Sequence, residues 1–459
     1  MKEAREMDET QNGCSRRSVV RSLFCGSIMM PAVFAHLLAG EAHAENSPLA
    51  PKTPHFPGKA KRVIFLYMSG GVSHVDTFDP KPRLREEYEK GNTKYLPALW
   101  TFKPHGKCGT EVSELFPHTA DCVDDICLIR SMRGDHNDHY QATMGVHTGS
   151  VTIKRPSIGS WVTYGLGTEN QNLPAFVVLA PDLPYAGSQV WDSDFLPAVY
   201  QGTRVLAGPE PIPNLNRRAL TEKIQQDELD LLGRFNRRHL ATRATDPNLA
   251  ARIKSYETAF GMQRTMPDAL DLSKETDATL KLYGLERGST KGFAWQCIVA
   301  RRLAERGVRF IELIDVGASN NWDAHADMKT HEPLARNIDQ AIAGLLRDLK
   351  SRGMLNDTLV VWTSEFGRSP TAEGTKGRGH FNKAFSSWMA GGGVKGGIVH
   401  GKTDEFGANV AENEVHVHDF HATILHLLGF DHEKLTFRYA GRDFRLTDVS
   451  GRVVKELLA

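Results

Sequence analysis

The sequence predicts an α/β fold, a doubly wound and mostly parallel sheet with helices on both faces. A continuous apolar run at residues 63–68 is followed by similar short, mostly apolar runs at 126–132, 176–180, 310–314 and 358–363. Strands that are apolar without alternation are buried on both faces, as in a parallel sheet. Stretches of helical period separate several of the runs, and strand–helix–strand alternation is the pattern of parallel βαβ units. The composition permits such a fold: 459 residues, 40% hydrophobic and 24% charged, give an ordinary globular chain with material for a large core. With 56 Lys+Arg against 55 Asp+Glu the net charge is +1. That balance excludes a nucleic-acid binder built on a general basic surface.

In chain order, Ser15-Arg16-Arg17-Ser18-Val19-Val20-Arg21 leads into an uncharged run at 22–40 and then Ala42-His43-Ala44. Residues 1–44 are therefore expected to be a twin-arginine signal peptide. A retained anchor is the alternative, but Ser22, Cys25, Ser27, Pro31 and His36 make the run weakly apolar. The remainder, 45–459, is expected to be a single domain, periplasmic or secreted, with no stable membrane span after signal cleavage. Cys108, Cys122, Cys127 and Cys297 are too few for a disulfide scaffold. The first apolar run closes on Ser69-Gly70-Gly71. Residues 215–285 are charged and helical in period, with no strand candidate, and read as a helical insertion. The clearest helix, 334–349, carries Leu334, Ile338, Ala341, Ile342, Leu345, Leu346 and Leu349 on one stripe, and Gly353 and Asn356-Asp357 follow it.

Ligands of doubly wound sheets sit beyond the carboxyl ends of the strands, so polar clusters directly after the strand candidates matter most. Three of them offer His/Asp pairs: His74 with Asp76, Asp138 with His139, and Asp323 with His325. A fourth, after 358–363, contains Glu365, Arg368 and His380. Divalent ions want carboxylate oxygen and neutral imidazole nitrogen presented from several rigid positions. Recurrence of such pairs at one edge points to a metal site there, against a purely hydrogen-bonded polar cleft. Arg368 reads either as an anion clamp or as the ion-pair partner of Glu365. Asp79 sits in the Pro-rich loop Asp79-Pro80-Lys81-Pro82 and is given no catalytic role. Gly391-Gly392-Gly393 lacks the Lys-Ser/Thr of a phosphate loop and reads as backbone beside a strand end. His418 and His421 could share a helix face as ligands, but an amphipathic helix ending at Gly429 is the preferred reading.

Together, the twin-arginine start, Ser69-Gly70-Gly71 running into Ser73-His74 and Asp76 to Pro82, Ser364-Glu365-Phe366-Gly367-Arg368, Trp388 to Gly393, and the helix at 419–429 resemble the exported bacterial family called domain of unknown function 1501. That resemblance spans most of the chain and implies an alkaline-phosphatase-like fold, with sulfatases and phosphodiesterases as cousins. It implies that Glu365 is a metal ligand, with Phe366 in place of a ligand His, and that His139 stands near the nucleophile position, where no Cys, Ser or Thr is present. The expectation is an exported metal-dependent hydrolase of phosphate or sulfate esters, small-molecule or polysaccharide. Its metal shell would be His74, Asp76, Asp323, His325, Glu365 and His380 around a divalent ion (Zn, Ca or Mg). Asp138 and His139 would be nucleophile or base, and Arg368 the anion clamp. The alternative is a non-catalytic anion- or glycan-binding protein on the same fold.

Overall fold

In a computed structural model that describes residues 48–213, 215, 221–243 and 247–459, the five apolar runs all form strands of one sheet. They are β1 (Arg62–Tyr67), β2 (Ile126–Arg133), β3 (Phe176–Leu179), β5 (Phe310–Ile314) and β6 (Thr358–Thr363), with β4 (Thr203–Val205) between β3 and β5 in the chain. After β6 come a hairpin, β7 (Gly367–Glu373) and β8 (Gly377–Phe381), and then β9 (Phe385–Ala390), β10 (Ile398–His400) and β11 (Val415–His416). The sheet runs β10-β2-β9-β6-β1-β5-β3-β4, with β11 also paired to β2. Only β9 is antiparallel to its neighbours, so the sheet is mixed and mostly parallel. The expected export signal at 1–44 lies outside the described residues.

Alternation along β1 explains why its run is apolar throughout. Ile64 and Leu66 enter one core with Val360, Trp362 and Leu345, while Val63, Phe65 and Tyr67 enter a second with Phe310, Trp161 and Ile424. Each face is covered by helices. Of these, α1 (His74–Thr77) follows β1 and α2 (His139–Thr148) follows β2, with α3 (Ile158–Leu166) next. Residues 215–285 hold α4 (Glu222–Ala241), α5 (Pro247–Leu270) and α6 (Asp277–Tyr283), and no strand among those described. Then follow α7 (Phe293–Glu305), α8 (His331–Ser351) and α9 (Val417–Leu427). The stripe expected at 334–349 is the buried face of α8, with Ile338, Ile342, Leu345 and Leu349 all within the first core.

Cys108, Cys122, Cys127 and Cys297 are free thiols. No described helix is long and apolar enough to cross a membrane.

A candidate metal centre at the carboxyl edge of the sheet

The polar clusters after β1, β2, β5 and β6 all lie at the edge where these mutually parallel strands end. The segment after β2 begins α2, capped by Asp138, whose Oδ1 accepts from Tyr140 N at 3.0 Å. His139 is therefore the first residue of a helix, and its ring points back over the sheet edge. The loop after β5 is turned by Asn321, whose Oδ1 accepts from Asp323 N at 3.1 Å and so fixes Asp323. The β7–β8 hairpin folds over the same edge, with His380 opposite Arg368 in register.

His139, Asp323 and His380 offer ligand atoms that all lie within 4.8 Å of one another. His325 lies beside two of them. Its Nε2 is 2.9 Å from Asp323 Oδ1 and 2.8 Å from His380 Nε2, and His380 Nε2 is 3.3 Å from Asp323 Oδ1. His139 Nε2 is 3.3 Å from Asp323 Oδ2. With metal bonds of about 2.0–2.1 Å, neighbouring donors stand about 2.9 Å apart at right angles and about 3.4 Å apart at the tetrahedral angle. The three spacings to Asp323 fall within that interval, and His325 to His380, at 2.8 Å, lies just below it.

The other ring nitrogens explain why these atoms converge. His139 Nδ1 is 2.7 Å from Glu365 Oε1, His325 Nδ1 is 2.8 Å from Glu373 Oε2, and His380 Nδ1 is 2.7 Å from the Asn137 carbonyl. Carboxylates and carbonyls accept, so each Nδ1 donates and each neutral imidazole keeps its Nε2 lone pair for the shared point. Two such lone pairs, on His325 and His380, then face each other at 2.8 Å. They repel unless a proton on one ring or a metal ion stands between them. His139 Nε2, buried and without a well-formed hydrogen bond, faces the other carboxylate oxygen of Asp323 at 3.3 Å. Two imidazoles and one carboxylate, with His325 beside them, offer a candidate site for a divalent ion.

Electrostatics and packing hold the group in place. Burial alone would raise Asp323, but His139, His380 and the Arg368 guanidinium keep its carboxyl far below the usual range. Burial alone would lower His139, yet Asp323 and Glu365 hold it above its ordinary value. The Tyr185 ring stacks on His139 with centroids 4.0 Å apart, and Phe366 packs against both His139 and His380. Gly70 comes close: its N donates to Glu365 Oε1 at 2.8 Å, and a Cβ there would lie 2.6 Å from Trp322 N.

A family model described as a protein of unknown function (DUF1501) matches residues 60–458. The chain belongs to that family. No curated protein matches it. Among solved structures it is similar to the lipoteichoic acid synthase LtaP of Listeria monocytogenes, at 8% identity over 85% of this chain and 78% of that one, with a TM-score of 0.38. It is also similar to a sulfatase from a Pseudoalteromonas species, at 12% identity over 81% and 68%, with a TM-score of 0.35. A third is the alkaline phosphatase of the Antarctic bacterium TAB5, at 13% identity over 74% and 92%, with a TM-score of 0.32.

Within this DUF1501 chain, Asp323, His325 and His380, expected as metal ligands, lie together, and several expected residues do not join them. His139, expected as nucleophile or base, instead stands among the candidate ligands. Glu365 is fully buried and accepts from Gly70 N, Tyr67 Oη, Ser364 Oγ and His139, so it stands one layer behind the centre. Burial alone would raise its carboxyl, and His139 and Tyr67 hold it below its ordinary value. His74 and Asp76 lie apart because α1 turns them inward: His74 Nε2 meets the Gly407 carbonyl at 2.9 Å, and Asp76 Oδ2 pairs with Arg378 at 2.8 Å. Asp138 is exposed and occupied as the cap of α2. Arg368 is no anion clamp, because its donors go to the carbonyls of Gly70, Gly71 and Arg378 and to Asp323. It positions Asp323.

Four residues that hold the centre together were absent from the sequence reading: Tyr67, Tyr185, Glu373 and the carbonyl of Asn137. Tyr67 carried a faint signal, as the lone hydroxyl within the first apolar run. The preferred reading of the later histidines agrees with their partners. His418 and His421 meet the carbonyls of Gly149 and Val146, at 2.9 and 2.6 Å.

Proposed function

We propose that this chain is an exported metal-dependent hydrolase of phosphate or sulfate esters, with His139, Asp323, His325 and His380 as its metal ligands. The observation that carries the reading is the convergence of His139, Asp323 and His380, whose ligand atoms lie within 4.8 Å of one another, with His325 Nε2 beside Asp323 and His380 and each ring fixed from behind by an acceptor. The donor set favours zinc or a similar borderline ion over Ca²⁺ or Mg²⁺, which prefer all-oxygen surroundings. A bound ion would supply Lewis acidity toward an ester oxygen and toward water. The substrate class rests on the sulfatase-like segments Ser364 to Gly367 and 419–429, and export rests on the twin-arginine start.

The chain's own residues set what else happens there. No Ser, Thr or Cys is among the four converging groups, and both nitrogens of His139 are engaged or aimed at the centre. Water is then the attacking group. The side chains of His325, His380 and Asp323 are 39%, 23% and 24% exposed, so the centre opens to solvent on one side. On the other side Glu365, Phe366 and Tyr67 exclude it.

The test is metal analysis of the purified chain together with turnover of aryl phosphates and aryl sulfates, for the parent and for His325→Ala and His380→Ala. About one zinc-class ion per chain, lost in both variants along with turnover, is the expected result. Equal, near-zero metal in all three removes the centre. Stoichiometric metal with ligand-induced thermal stabilisation and no product would favour the anion- or glycan-binding alternative.

A further inference from the structure

Helix α4 turns one apolar face to α5 and leaves a second apolar line exposed, with Leu232, 46% exposed, between the two. On the first, Gln225, Leu229 and Leu232 face Phe260, Met262 and Gln263 of α5, and Gln225 Nε2 donates to Gln263 Oε1 at 2.8 Å. On the second, Ile224, Leu231 and Phe235 are 42%, 54% and 61% exposed. At about 100° per residue, Leu231 and Phe235 fall within about 20° of Ile224, whereas Leu229 is turned about 140° away. The exposed residues therefore form a line along the helix.

Charge says what covers that line. The first half of α4 exposes Asp227, Glu228 and Asp230 against one cation, Lys223, which pairs with Asp227, and the second half exposes Arg234, Arg237 and Arg238, with Arg243 just beyond. A parallel neighbour would set like charges together. An antiparallel copy of the same helix sets the acidic half of each against the basic half of the other, and a two-fold axis makes one surface serve both sides. The register that places Leu231 opposite Phe235 of the second copy also places Glu228 opposite Arg238. An anionic lipid surface suits the basic half alone, since Glu228 borders the apolar line.

We propose that the Ile224, Leu231 and Phe235 face of α4 is a self-association surface, pairing antiparallel with α4 of a second copy of this chain. The proposal is independent of the hydrolase reading.

Sedimentation equilibrium of the full chain across micromolar concentrations tests it. The weight-average mass should rise from the 50.9 kDa of one chain toward twice that value. The double variant Leu231→Glu, Phe235→Glu should stay at one chain throughout with an unchanged melting temperature. Glu228→Arg and Arg238→Glu should each weaken association about tenfold or more, because each homodimer then opposes like charges. An equimolar mixture of these two should restore it, because only the mixed pair opposes unlike charges. A wild-type chain monomeric over the whole range overturns the proposal. So does association that the charge reversals leave unchanged, or a mixture no tighter than its components. A monomer that sediments with phosphatidylglycerol vesicles through Phe235 assigns the face to lipid and overturns it as well.

Discussion

Glu365 and Glu373 do the same job from opposite sides, each accepting from the Nδ1 of a histidine whose Nε2 faces the centre. Removing such an outer partner typically costs about 10–100-fold in metal affinity, because ring orientation and basicity are lost with it. Glu373 is half exposed with few other duties, so Glu373→Gln should lower zinc affinity in a competition titration while leaving the melting temperature almost unchanged. Glu365→Gln should lower both, since a buried amide would set an N–H against the donors of Tyr67 or Gly70. Equal affinities for Glu373→Gln and parent would mean that His325 is not a ligand. Asp315, at the end of β5, makes a different residue-level statement. Burial pushes its carboxyl up to about 7, although Trp322 and Asn337 donate to it. The native state thus favours the protonated form, while the unfolded chain titrates near 3.9. The contribution is fully present below about pH 4 and is lost as pH rises toward 7, at about 1.4 kcal/mol per pH unit between the two values. Asp315→Asn should therefore raise the melting temperature at pH 8 and change it little at pH 4. The same gain at both pH values would contradict the linkage.

Among the elements, β9 tests how far its surroundings fix a turn. It runs against its neighbours and ends at the sheet edge away from the metal centre, where Gly391, Gly392 and Gly393 take φ of 70°, 56° and 92°. A Cβ on Gly391 would lie 2.2 Å from the Leu355 carbonyl oxygen. Gly391→Ala should cost about 1–3 kcal/mol or more in urea unfolding and leave metal content unchanged. Metal loss in that variant would mean that the two edges of the sheet are coupled. The contrast between β9 and β1 also shows what the sequence could reveal. β1 and β6 are buried on both faces, and that condition is written in their own residues. The hairpin β7–β8 reads Gly-Arg-Ser-Pro-Thr-Ala-Glu and Gly-Arg-Gly-His-Phe. It is a strand pair only because the sheet edge is there to receive it. The same reason hid the role of Glu373, whose reach to His325 depends on hairpin register and not on spacing. Part of the cluster was legible, since Asp323 and His325 stood out as a pair beside a strand end and His380 in the polar cluster after 358–363. Their orientation was not. Glu365 faces inward because β1 supplies Gly70 N and Tyr67 Oη beside it, and Asp76 faces inward because Arg378 of β8 meets it.

At the scale of the molecule, the proposed centre ties together three parts of the chain that secondary structure does not join. His139 opens α2, Asp323 and His325 lie on the loop after β5, and His380 belongs to the hairpin that follows β6. A ligand bound only by the native state stabilises it by about 2.7 kcal/mol at a free concentration of 100 Kd. Here there is a further reason for the effect, because with both rings neutral and donating through Nδ1 the Nε2 atoms of His325 and His380 oppose each other 2.8 Å apart. Dialysis against a chelator should lower the melting temperature by several degrees, and added Zn²⁺ should restore it more completely than Ca²⁺ or Mg²⁺ at equal concentration. His380→Ala should melt near the chelated parent and respond to neither treatment. A chelator effect that survives in His380→Ala would place the stabilising ion elsewhere. A parent chain indifferent to chelation, with metal shown to be absent before and after, would leave the three imidazoles sharing protons and remove the basis for metal-assisted hydrolysis.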